Sequence, residues 1–400
     1  MSSALKIALV IFYNVAFVCG VFGLAEYVAR RLTGSPVNQI ELKLDRWAGF
    51  RNNPAYHGNQ VQLNEAGFRR DSNILPRKPA DTIRIFLLGG SVAYGGETLY
   101  PEIDDTWKIN NHETIDFDLE QRLNTAYRAK HWEVINAAVK GYLLNQDLAL
   151  YLSAVQRYHP DYLILLDGVN DLYSLLRLPD TYDGYRQAGL GAEFDGLTSP
   201  VSMSLPFVSS TWLLDRSSLY RLVRQSVSRR HQLHARKERI REAEAHPRPG
   251  LAGMTPDEQK QYRLAAAELG EYMRPVRQIH RLAAMDGTRT LFALQPHIAV
   301  TRKAFTSSES KVLEYWTKLD GPLYVYGFQN LYPRLSSELA DGAQIDGYQF
   351  VDLTGAFDHV SAQAFTDYCH LTPAGNQALA NALFASLATS MPAGAGEQGP

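Results

Sequence analysis

Short apolar runs broken by glycine and asparagine alternate with longer amphipathic stretches along this chain. Ile83 to Leu88 (IRIFLL) is a continuous apolar run closed by two glycines, the pattern of a strand buried on both faces of a parallel sheet. Trp132 to Ala137, Tyr162 to Leu166, Thr290 to Leu294 and Gln349 to Leu353 read as four further strands. Helices are predicted over Phe117–Ala129, over Asn145–Tyr158 with Asn145 as N-cap, and from Pro256 to about Ala284. Thr255 caps the last of these, Pro256 suits its first turn, and Asp286-Gly287 stops it. A closing helix is predicted over Thr372–Ala388, with Thr372 as cap and Pro373 at its first position. Strand and helix alternate, so the fold class is α/β, with a central parallel five-stranded sheet covered on both faces.

Different patterns flank and interrupt this core. From Ile7 to Ala25 the chain is apolar apart from Asn14, and as a helix it would span roughly 28 Å, close to the thickness of a bilayer's hydrocarbon. Residues 1–31 are therefore expected to form a single transmembrane anchor. A cleaved signal peptide would carry a shorter apolar region and a small-x-small cleavage site. Residues 32–80, rich in Asn, Pro and Gly, are expected to be a neck with little regular structure. Residues 81–390 form the main domain, interrupted by a helical insertion at about 172–254, and 391–400 a disordered tail. The insertion holds a dense run of Arg and Lys from Arg216 to Arg241, interleaved with Leu219, Leu222, Val223 and Val227. A solvated helix face, a helix lying on anionic lipid and a groove for acidic polysaccharide all fit that pattern.

Composition narrows the picture modestly. The apolar share of 45% and charged share of 20% suit a folded protein, and a net charge of −2 gives no pull toward nucleic acid. Two cysteines, Cys19 and Cys369, make no disulfide framework, and the histidines show no metal-ligand grouping. No cofactor is expected.

The chemistry lies at the carboxyl ends of the expected strands, where ligands bind in open α/β sheets. The first strand ends in Gly89-Gly90-Ser91, a turn that can expose a serine hydroxyl; no Lys follows at phosphate-loop spacing. The second leads to Gly141, which offers a backbone N–H with no side chain in the way. The third ends in Asp167-Gly168-Val169-Asn170-Asp171, whose Asn170 amide can donate to a developing oxyanion. Near the end, Asp367-Tyr368-Cys369-His370 can set a carboxylate beside an imidazole. Gln295 and His297 close the fourth strand, and Tyr94 and Tyr173 follow the serine and asparagine blocks; all four are candidates to contact substrate.

Taken in this order, the four blocks resemble those of the SGNH/GDSL hydrolase family. The likeness covers roughly residues 83–171 and 288–388. It implies a flavodoxin-like three-layer α/β/α sandwich. By it, Ser91 is the nucleophile, His370 the general base and Asp367 its orienting acid. The N–H groups of Ser91 and Gly141 and the Asn170 side chain form the oxyanion hole. Gly90 stands where the family name implies Asp. The segment Asn64-Glu65-Ala66-Gly67-Phe68-Arg69 resembles one in membrane-anchored bacterial members and is expected to pack beside the active-site rim. The resemblance implies a serine esterase or acyltransferase, and the anchor, which would hold the site near envelope glycans, favours O-acyl (acetyl) esters of cell-envelope carbohydrate as substrate. A lipase or lysophospholipase, or a low-turnover assembly subunit of an envelope polysaccharide system, are the alternatives. The single-pass anchor would sit in the inner membrane. Arg30 and Arg31 after the span favour a cytoplasmic catalytic domain by the positive-inside rule, whereas the functional reading favours a periplasmic one.

Overall fold

A computed structural model describes residues 3–33, 41–54, 56, 58, 60–177 and 217–390. Residues 178–216 of the expected insertion, Arg216 among them, residues 34–40 of the neck and the 391–400 tail lie outside the described residues. The chain divides into two compact units, one of Met1–Glu41, Ala55–Gly58 and Ala192–Lys237, the other of the remainder.

In the first unit, α1 (Ser3–Thr33) contains an apolar stretch, Leu9–Leu32, of mean hydropathy 1.9, whose 18-residue apolar window has no part buried inside the protein. It is long and apolar enough to cross a membrane, as a signal sequence also can be. Near its end Glu26 pairs with Arg30 at 2.7 Å and accepts the amides of Ser218 and Leu219 at 2.9 and 3.0 Å. That carboxylate satisfies the free N–H groups at the start of the basic helix, α6 below.

The second unit is built on a five-stranded parallel sheet of β3 (Thr82–Gly89), β4 (His131–Asn136), β5 (Tyr162–Asp167), β6 (Arg289–Leu294) and β7 (Gln349–Asp352). Its spatial order is β4-β3-β5-β6-β7, so the chain steps outward from β3 and then returns across it. That reversal opens a crevice at the carboxyl ends of β3 and β5. Phe86, Leu87 and Leu88 are fully buried, each worth about 1.5–3 kcal/mol of burial. A two-stranded hairpin, β1 (Leu42–Asp45) and β2 (Gly49–Asn52), occupies the segment expected to lack regular structure. It is held to the main unit by Asn52 Nδ2, which donates to Ala138 O at 3.0 Å.

Among the described residues the further helices are α2 (Ser91–Tyr94, a single turn), α3 (Ile115–Ala126), α4 (Leu144–Leu150), α5 (Val169–Arg177), α6 (Ser218–Ala245), α7 (Pro256–Glu268), α8 (Met273–Met285), α9 (Ser307–Asp346) and α10 (Pro373–Ser390). α3 and α10 pack together on one face of the sheet, and α4, α5, α8 and α9 pack among themselves on the other. Several expected boundaries shift. α4 begins one residue before Asn145, because the Gln146 side chain reaches back to the Leu143 amide at 3.1 Å and does the capping. It ends at Leu150, where the backbone widens into a π turn over Tyr151–Val155. The predicted 256–284 helix is two helices joined by a 3₁₀ turn at Leu269–Tyr272. Thr255 caps α7 through its hydroxyl, which accepts the Glu258 amide at 3.2 Å, and Thr372 caps α10 by accepting the Gly375 amide at 3.1 Å. The long α9 is absent from the sequence reading; it bends at Gly321 (φ 76°), next to Pro322.

Candidate active site

Ser91 stands at the head of α2, directly after β3, half-buried among buried neighbours. The turn beneath it depends on Gly89, whose φ of 136° and closeness to the Leu166 carbonyl, 2.3 Å from where a Cβ would sit, admit no side chain. Gly90 needs its hydrogen for a different reason. Its φ of −81° suits any residue, but a Cβ there would lie 2.4 Å from Asn170 Nδ2. The asparagine amide thus occupies the space beside the residue before the serine, and donates to Tyr142 O at 2.9 Å. An Asn NH2 carries two hydrogens, so one stays available. Gly141, φ 80°, sits in the β4–α4 turn. Among the described residues no hydrogen bond engages the Ser91 or Gly141 N–H.

The acid–base loop after β7 is rigid by its hydrogen bonds. Asp367 is fully buried. Its Oδ2 meets His370 Nδ1 at 2.7 Å and accepts the Leu99 amide at 2.6 Å; its Oδ1 accepts the amides of Cys369 and His370 at 2.9 and 2.8 Å. Burial alone would raise the carboxyl's pKa, but the imidazole and the Cys369 and Leu99 amides outweigh it and hold Asp367 below the ordinary carboxylate range. With Nδ1–H given to Asp367, the His370 Nε2 carries the lone pair a general base needs.

Gly96 joins the two halves of the site. Its N–H donates to Ser91 O at 2.7 Å. A Cβ at Gly96 would stand 3.0 Å from Ser91 O and 3.1 Å from His370 Nε2. Serine and imidazole therefore flank one bare backbone position. Among the described residues no hydrogen bond engages Ser91 Oγ; such contacts tighten when substrate binds.

Residues absent from the sequence reading support this arrangement. Thr98 Oγ1 donates to Thr366 O at 3.0 Å, so 96–99 straps the acid–base loop. Glu309, fully buried with Lys303 at 2.9 Å, accepts the Ala364 and Phe365 amides at 2.9 and 3.2 Å and anchors the start of that loop. The Asn64–Arg69 segment does pack beside the site. Phe68 lies edge-on to Phe86, and the buried Arg69 guanidinium donates to the carbonyls of Tyr94 and Gly95 at 2.8 Å each and of Ile109 at 2.6 Å. It thereby satisfies the carboxyl end of the turn that Ser91 begins.

The four residues considered for substrate contact divide. Tyr94 and His297 are fully buried and Gln295 is nearly so. His297 is stacked on Phe328 at 4.0 Å and accepts the Ala299 amide at Nδ1. Burial drives its pKa down to about 3, against a smaller upward pull from Asp367, so it stays neutral. Tyr173 is half-buried, stacks on Tyr324 and donates to Asp320.

Asp367, Cys369 and His370 also offer three ligand atoms within 4.8 Å. The donors suit a metal poorly. Burial and the Asp367 charge push the Cys369 thiol up, away from the thiolate a metal takes, and Nδ1 of His370 is committed to Asp367.

No family model matches the sequence, and no curated protein is found to be similar to it. Among solved structures, the chain is similar to LAE5, an alpha/beta hydrolase enzyme from the metagenome of Lake Arreo, Spain, at 16% identity and a TM-score of 0.38. That alignment covers 78% of this chain and 97% of LAE5. It is also similar to Axe2, an acetylxylan esterase from Geobacillus stearothermophilus, at 13% identity and a TM-score of 0.38, covering 76% of this chain and 94% of Axe2. Both likenesses are of fold.

Proposed function

We propose that this chain is a serine-dependent ester hydrolase of SGNH type that works through an acyl-enzyme on Ser91. The observation that carries the reading is the buried Asp367–His370 pair, which presents Nε2 across Gly96 from the serine at the head of α2. Ser91 Oγ attacks the ester carbonyl carbon as its proton passes to His370 Nε2, and Asp367 stabilises the resulting imidazolium. The carbonyl oxygen, now negative, is received by the N–H groups of Ser91 and Gly141 and by the Asn170 amide. Collapse of this intermediate breaks the bond to the alcohol oxygen, which takes the proton back from His370. Water, activated by the same imidazole, then releases the acid; a sugar hydroxyl in its place makes the reaction an acyl transfer.

The substrate class we favour is an O-acyl, in particular O-acetyl, ester on cell-envelope carbohydrate. α1 would hold the enzyme in the inner membrane with its catalytic unit on the periplasmic side, close to such glycans. The test uses the full chain in detergent. Incubation with p-nitrophenyl acetate should add one acetyl group to Ser91, seen by mass spectrometry, and Ser91→Ala should lose both this adduct and labelling by a fluorophosphonate. Equal labelling of the variant sinks the assignment. Turnover of acetylated oligosaccharide without micelles supports the carbohydrate reading, and activity confined to micellar lipid overturns it.

A further inference from the structure

Three carboxyl groups that the proposed mechanism does not use lie directly beneath it. Asp147 on α4, Asp167 at the end of β5 and Asp171 on α5 are each at least nine-tenths buried, at 0%, 4% and 2% exposure. Each accepts a backbone amide, two from the turn before Ser91 and one from the start of α4. Asp147 Oδ1 takes the Gly89 N–H at 3.0 Å, Asp167 takes the Gly90 N–H, and Asp171 Oδ1 takes the Leu144 N–H at 3.3 Å. Those three bonds tie together the turn before Ser91, the turn after Gly141 and the turn that carries Asn170, which are the three sources of the oxyanion donors.

The electrostatics of the cluster are unusual for a structural feature. The Asp147 and Asp167 carboxyls are in hydrogen-bonding contact, yet neither Oδ2 has a donor to accept from. Two carboxylate oxygens in contact repel unless a proton lies between them. Burial, then the neighbouring carboxyls, push both groups well above the ordinary range, and the Gly89 and Gly90 amides only partly oppose this. No cation figures among those influences. The phenol of Tyr142, before α4, faces Asp147, and that of Tyr332, on α9, faces Asp167 and Asp171; neither brings a positive charge.

We propose that Asp147, Asp167 and Asp171 form a proton-sharing brace of positioning residues that holds the Ser91, Gly141 and Asn170 turns in register for oxyanion binding. The proposal rests on the ester-hydrolase reading for its consequence in rate, though the brace itself is a matter of structure. While the proton is present, an Asp147–Asp167 hydrogen bond closes the cluster. Its loss leaves adjacent buried anions, and the turns separate to admit water.

The sign follows. Groups whose pKa is raised by folding stabilise the fold at low pH, and that contribution is lost as pH rises toward the raised value. Labelling of Ser91 by a fluorophosphonate should therefore have an alkaline limb in addition to the acid limb set by His370. Beyond that limb's midpoint the rate should fall about tenfold per pH unit. Asp147→Asn keeps an oxygen for the Gly89 amide and supplies an NH2 that donates to Asp167 with no shared proton. It should retain labelling at neutral pH and displace the alkaline limb upward by at least about one pH unit. Asp167→Asn, which keeps an oxygen for the Gly90 amide, provides the second, equally isosteric variant. A wild-type profile with no alkaline limb anywhere in the range where the protein stays folded, or an alkaline limb unmoved in both folded variants, overturns the brace.

A second readout needs no catalysis. Hydrogen–deuterium exchange of the peptide spanning Gly89 and Gly90 should accelerate with pH beyond the intrinsic base-catalysed trend in the wild type, and not in Asp147→Asn. Identical exchange in the two overturns the proposal even if Ser91 proves unreactive. Conversely, a pH-dependent difference in exchange with no labelling at any pH sustains the brace and rejects the hydrolase reading.

Discussion

Asp367→Asn is the sharpest single perturbation of the proposed mechanism. The carboxylate accepts four hydrogen bonds, two at each oxygen. An amide offers one oxygen and one NH2. If the oxygen stays with the Cys369 and His370 amides, the NH2 replaces Oδ2 and faces the Leu99 N–H at 2.6 Å, donor against donor. His370 Nδ1 must then accept from the amide, and its proton moves to Nε2, which can no longer take the Ser91 proton. The Leu99 N–H loses its acceptor, but the residue is 42% exposed, so water can take the bond and the cost to stability is about 0.5–1.5 kcal/mol. The rate effect is larger: reversing the tautomer of a triad histidine costs about 10⁴-fold, or about 5.5 kcal/mol in the barrier. The assay is the second-order rate of Ser91 acylation by p-nitrophenyl acetate, with a thermal melt to show that the variant is folded. A folded variant within about tenfold of wild type would refute the role of Asp367 as the group that orients the base.

Two other predictions test separate parts of the site. Gly90→Ala carries no backbone strain, because φ is −81°, but its Cβ must displace the Asn170 amide that would lie 2.4 Å away. It should lower kcat by about 10²–10³-fold with little change in KM, the signature of a lost oxyanion donor; a KM effect alone would contradict the placement of Asn170 in that role. His297 must gain a proton when the protein unfolds in acid, since burial holds it neutral down to about 3. Stability present above about pH 6.5 should be lost toward pH 3 at about 1.4 kcal/mol per pH unit. His297→Gln should remove that component of the slope in denaturant titrations, and an unchanged slope would count against it.

Much of the frame was legible along the chain because its determinants are local. A strand buried on both faces must be a short apolar run, as those from Ile83, Trp132, Tyr162 and Thr290 are; each of these, and the half-exposed edge run from Gln349, forms a strand within a residue or two of expectation. Caps of the Thr-Pro type at 255–256 and 372–373 are equally local, since the hydroxyl bonds an amide three residues on. The order of the Ser91, Gly141, Asn170 and Asp367–His370 blocks could be read because each block is a few residues long. α9 escaped notice for the opposite reason: Gly321, Pro322 and Pro333 interrupt its pattern, and packing against the sheet overrides their propensity.

What only the tertiary structure decided is how those blocks meet. Leu99 and Asp367 are hydrogen-bonded across 268 residues of sequence, and Glu309 reaches the Ala364 amide across 55. No pattern with a period of two or of 3.6 residues encodes such pairs. Gly96 looks like any loop glycine until the serine carbonyl and the imidazole arrive on either side of it. Likewise Asp147, Asp167 and Asp171 are ordinary polar residues in sequence. They become a set of neighbouring buried acids only when three strand ends converge and exclude water from between them.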